Sequence, residues 1–109
     1  MAFDELLAER IRKTLGRRKG LAEKKMFGGV AFLLNGNMSV GVHKSDLIVR
    51  LAPEDTEAIL SQSHTRPFDL TGRPMKGWIL VESQGLKTDA QLGKWLQLAT
   101  EYAGSLPAK

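Results

Sequence analysis

The chain contains no cysteine. Disulfides, thiolate metal sites and thiol nucleophiles are therefore excluded, and packing alone must hold the fold. Long apolar runs are also missing. The longest, Val30 to Leu34, is five residues, against the roughly 20 needed to span a bilayer. The opening Met-Ala-Phe-Asp-Glu is acidic and lacks the apolar stretch of a secretory signal. A cytoplasmic protein with no membrane association is expected. Aromatics are few, at four Phe, two Trp and one Tyr. None interleaves with basic residues as surfaces that stack single-stranded bases do.

Catalytic material is equally thin. The only histidines are His43 and His64, and no G-x-S-x-G segment supplies a nucleophile elbow. Two isolated histidines without cysteine cannot build the usual zinc shells. The acids are scattered, with no calcium-loop spacing. No glycine-rich phosphate cradle follows a strand. Gly28-Gly29 precedes a strand, which suits a bulge or a close backbone approach. No enzyme activity, cofactor or metal is expected.

What is present is the make-up of one ordinary domain over residues 1–109, 42% hydrophobic and 26% charged. The net charge is +4, and its location is uneven. Residues 1–25 hold eight bases and four acids, so the whole excess sits there. Arg10, Lys13 and Arg17 fall at helical spacing on one face, and Arg18, Lys19, Lys24 and Lys25 follow in the loop and the next strand. Such a cluster could meet nucleic-acid phosphates or an acidic partner. Bases at a helix C-terminus are also favoured by the dipole alone.

The periodicity orders the elements. Phe3, Leu6, Leu7, Ile11 and Leu15 form a helical stripe over residues 3–18, stopped by Gly16 or Gly20. Two strands follow around Asn35-Gly36-Asn37. A two-residue loop would put Val30, Phe32 and Leu34 on the face opposite Val40 and Val42. A three-residue loop pairs Leu34 with Met38, Phe32 with Val40 and Val30 with Val42, so that loop is predicted, with Asn37 in its left-handed position. A third strand runs from Leu47 to Leu51. A short helix opens at Pro53 and ends near Gln62. Strands are predicted at Thr65–Leu70 and Gly77–Val81, joined by a turn over Thr71-Gly72-Arg73-Pro74. Thr88 and Gln91 form a capping box for a last helix. Its stripe of Leu92, Trp95, Leu96, Ala99, Tyr102, Ala103 and Leu106 is closed by Pro107. The Trp95/Tyr102 stripe is read as core, or in part as a dimer seam. The order gives an α+β fold, with an antiparallel sheet and helices packed on it.

The run MFGGVAFLLNGNMSVGV, the later FDLTGRPMKGWILV and the final KWLQLA resemble the N-terminal domain of the TfoX/Sxy family of bacterial competence regulators. The resemblance covers about residues 5–103. It implies a two-layer α-β(3)-α-β(2)-α fold like that of type III secretion chaperones. Full-length members activate natural-transformation genes together with the cyclic-AMP receptor protein. The resemblance implies action through protein contact, with DNA contact left open, and the members are not known as enzymes. They carry a second, helix-hairpin-helix-like domain. The present chain is expected to be a stand-alone first domain, so fold transfers better than regulatory role. No catalytic residue carries over. A non-enzymatic, homodimeric interaction module in transcription regulation is expected. The alternative is direct DNA binding through the basic cluster. A remote third reading is a small-molecule binder or enzyme using a pocket near His43, Arg50, Arg73 or Trp78.

Overall fold

The computed structural model describes residues 4–16, 19–26, 29–68 and 76–108. Asp4 opens α1 (Glu5–Leu15) by accepting the Leu7 amide hydrogen at 3.1 Å. Gly16, at φ 63, ends it, and its N–H bonds Arg12 O at 2.9 Å. Four strands follow: β1 (Leu21–Met26), β2 (Gly29–Leu34), β3 (Asn37–His43) and β4 (Asp46–Arg50). A 3-10 turn at Pro53–Asp55 leads into α2 (Thr56–Leu60), then β5 (Thr65–Pro67) and β6 (Trp78–Val81). A second 3-10 turn, Ser83–Leu86, precedes α3 (Asp89–Ser105). Both bonds of the Thr88/Gln91 capping box form, at 3.0 and 3.1 Å.

The strands make one antiparallel sheet in the order β1-β2-β3-β4-β6-β5. The α+β architecture is as the sequence predicts, with one strand more ahead of α2. That strand, β1, has the sequence LAEKKM and lacks clean apolar alternation. At the sheet edge neither of its faces has to be apolar, so the period-2 signal is weak.

Helices α1 and α3 cover one face. Phe32, Val40, Val42, Leu47, Val49, Ile79 and Val81 pack there against Ile11, Leu92, Trp95, Leu96 and Ala99. Each large side chain removed from water in this way contributes roughly 1.5–3 kcal/mol. A smaller cluster on the other face joins Ala31, Met38, Ile48, Phe68 and Leu80, flanked by Leu33 and Trp78.

The hairpin corrects the predicted loop. Val30 faces Val42 and Phe32 faces Val40, as the parity demands. The loop, however, has two residues, because Leu34 faces Asn37 and Leu33 faces Met38. Asn35 and Gly36, at φ 54 and 83, make the turn, so Asn35 rather than Asn37 takes the left-handed position. A bulge at Ser39 absorbs the leftover residue, since Phe32 pairs with Val40 and the next residue, Leu33, pairs with Met38. The bulge keeps Val40 on the helix face and turns Met38 to the other. Among the described residues no helix is long and apolar enough to cross a membrane.

Candidate functional site

The N-terminal bases do not form one uniform patch. Arg10 on α1 points to Asp89 at the start of α3, with Nη2 3.5 Å from the carboxylate. Arg12 lies between Glu9, at 2.6 Å, and Glu23 on β1. The Glu23 carboxylate above all, by hydrogen bond and then by charge, with Glu9 behind it, raises the Arg12 pKa, while burial opposes. Lys13, Lys19, Lys24 and Lys25 are exposed. None of these four lysine side chains has a hydrogen bond or ion pair among the described residues. Register then separates two of them. Lys25 faces Val30, and Glu23 faces Phe32, so both lie on the helix-covered side. Lys24 faces Ala31 and lies on the opposite side. Arg17 and Arg18 lie outside the described residues.

The α1 surface beside this cluster carries Leu6, 76% exposed, with Glu9, Arg10, Arg12 and Lys13 around it. Among the described residues it is the one large apolar side chain standing in water. A single exposed leucine is ordinary for a soluble surface.

The residues of the remote pocket reading part company. His43 is at the β3–β4 turn, opposite Asp46. Arg50 is at the far end of β4, about 13 Å along the strand at the usual rise. There its guanidinium lies over Trp78 at 5.2 Å and Tyr102 at 5.8 Å. Trp78 also meets Phe68, with ring centroids 5.9 Å apart. Two shallow grooves flank α2. One, of about 360 Å³, lies between α2 and α3 and is bordered by Leu51, Asp55, Ile59, Leu98, Glu101 and Tyr102. The other, of about 470 Å³, is bordered by Glu57, Leu60, Pro67, Lys76 and Trp78. His43 lines neither, and Arg73 lies outside the described residues. His64 is exposed, at φ 66. Among the described residues no three His, Asp or Glu side chains gather as a metal shell requires.

Of the two aromatics in the expected seam, Trp95 is 6% exposed and sits in the helix-side core. Tyr102 is half-buried and stacks against Arg50.

With the later bases expected in the loop and the next strand, the sequence missed β1 as a strand of its own, and with it the placement of Lys24 and Lys25 along a sheet edge. The available signal was punctuation, since Gly20 and Gly28 bracket a stretch of strand length.

A family model described as the TfoX N-terminal domain matches residues 13–103. The chain belongs to the TfoX N-terminal domain family. The TfoX N-terminal domain is a non-catalytic regulatory domain. That match takes in β1 through most of α3, hence the whole sheet. Neither the curated proteins nor the solved structures contain a match.

Proposed function

We propose that this chain is a regulatory, protein-interacting module of the competence type, acting in bacterial transcription control in the cytoplasm without chemistry of its own. The single observation that carries the reading is the family match across residues 13–103. The absence of a sequence motif for nucleophile, metal or phosphate chemistry agrees with it. Deleting the gene and profiling transcripts is the test. A restricted set of transcripts should change and return on complementation, whereas an unchanged profile refutes the reading. The module is further proposed to act as a homodimer. Sedimentation at micromolar concentration should show a dimer, and a strict monomer removes that part.

A second reading, direct DNA binding, is favoured by the four lysines whose side chains lack partners among the described residues. It requires a salt-dependent duplex affinity, with a log–log slope of about −0.9 per phosphate contact. Equal affinity at low and high salt excludes it.

A further inference from the structure

The two edges of the sheet are built differently. At one end β5 is three residues long and finishes on Pro67, which has no N–H to offer. A short strand ending in proline is a standard way to blunt an edge. At the other end β1 runs six residues in unbroken register with β2, from Leu21 opposite Leu34 to Met26 opposite Gly29. It contains no proline and no bulge. Among the described residues no strand pairs with its outer side. Every other residue of such a strand turns its N–H and C=O outward, so about three of the six present both groups to solvent.

The side chains along this edge define the chemistry that fits it. Lys24 and Lys25 are exposed, lack partners among the described residues, and stand on opposite faces of the sheet. Lys19 precedes the strand and is likewise exposed. The one acid on β1, Glu23, is occupied by Arg12. An incoming strand therefore meets a cation on each face and an open row of backbone groups between them.

We infer that the outer edge of β1 is a docking rail for an extended acidic segment of a partner protein, which adds to the sheet as a further strand. Main-chain hydrogen bonds supply the attraction, and adjacent carboxylates facing Lys24 and Lys25 supply the selection. This inference rests on the interaction-module reading and names the partner class and the place. A second copy of the chain fits the edge less well. A two-fold axis through the sheet sets either Glu23 or Lys24 directly opposite its own copy in the two registers that overlap most of the strand, and like charges so placed repel. Nucleic acid fits less well too. Lys24 and Lys25 diverge to opposite faces, and β1 has no aromatic to stack a base.

The probe is a short, end-blocked, dye-labelled peptide of valine and threonine with adjacent central glutamates, titrated against the full chain. A lysine-for-glutamate peptide is the control. The acidic peptide should bind saturably and the basic one should not. Amide signals of residues 21–26 should shift and gain protection from exchange. The Lys24→Glu/Lys25→Glu variant should bind at least about tenfold more weakly, a difference of about 1.4 kcal/mol. The Lys24→Gln/Lys25→Gln variant should fall between. Circular dichroism confirms that both variants fold. No saturable binding up to millimolar peptide overturns the inference. So do equal binding by the Glu variant and shifts confined to other elements. Duplex DNA that competes for the same lysines and binds more tightly than the peptide overturns it in favour of the nucleic-acid reading. The regulatory proposal fails separately, through an unchanged transcript profile on gene deletion. If the Glu variant complements that deletion fully, the rail is wrong and the regulatory role stands.

Discussion

Ser39 offers a test in which removing a polar atom should strengthen the protein. It is the bulged residue of β3, is 0% exposed, and its hydroxyl has no hydrogen-bond partner among the described residues. Leaving such a group buried and unpaired costs about 1–3 kcal/mol. Ser39→Ala deletes the oxygen and keeps the Cβ, so little packing is lost. The net expectation is a gain of about 1 kcal/mol, or a rise in Tm of roughly 4 °C for a domain of this size. Thr56 is the matched control. Its buried hydroxyl accepts the Gly77 amide hydrogen at 2.7 Å. Thr56→Val keeps the shape and leaves that N–H unpaired, so it should cost about 1–3 kcal/mol. Urea denaturation and calorimetry of both variants give the comparison. The two changes should move the midpoint in opposite directions. A loss at Ser39 equal to that at Thr56 would falsify the reasoning, because it would show that the Ser39 hydroxyl is bonded in solution or is needed to hold the bulge.

The remaining tests address the sheet and its edges. A Cβ at Gly29 would stand 1.9 Å from Val42 O, so Gly29→Ala should force β2 from β3. It should cost at least about 1–3 kcal/mol, and a wild-type urea midpoint would contradict the close approach. Arg50→Ala should cost about 1–2 kcal/mol from two cation–π contacts at about 0.5–1 kcal/mol each, with a changed near-ultraviolet signal from Trp78. An unaltered spectrum and midpoint would show that the stack does not form. Arg12→Met should cost less than about 1 kcal/mol, because the guanidinium and its Glu23 partner are 36% and 38% exposed. A raised pKa on a cation stabilises at every pH below its ordinary value and is lost only as pH climbs through the raised one. The Arg12→Met deficit should therefore be the same in neutral and mildly alkaline buffer, and a deficit that shrinks over that interval contradicts the assignment.

Where hydrophobic spacing and tertiary burial agree, the sequence reads correctly. The Thr88/Gln91 box and the Leu92-to-Ala103 stripe appear in α3 as written, because capping and packing favour the same residues. The hairpin shows how two sound rules can conflict. Asn35-Gly36 is the preferred composition for a two-residue turn, yet that turn alone inverts the parity of Val40 and Val42. The chain satisfies both by placing the extra residue at Ser39 instead of in the loop. Ser39 carries no mark of this role, since bulges other than glycine ones have no residue signature of their own. The basic cluster was legible as composition and illegible as geometry. Only the pairing of Lys24 with Ala31 and Lys25 with Val30 shows that the two lysines diverge. For these two lysines the residues are legible in the sequence, and the partner strand against which β1 lies is not.

The sheet order has a consequence for synthesis. β1 to β4 lie side by side in chain order, joined at β2–β3 and β3–β4 by turns containing Asn35 and Lys44 at positive φ. Each can close on its neighbour as soon as it leaves the ribosome. The next strand in the chain, β5, has no place to bind, because among the described residues its one strand partner is β6. Residues 78–81 must arrive and slot between β4 and β5 before the sheet is whole. Until then Leu47, Ile48 and Val49 line an apolar border that the finished protein never shows. The nascent chain thus passes through an interval with two open borders, one lysine-guarded and permanent, the other greasy and temporary. Chaperone demand and misassembly should concentrate in that interval.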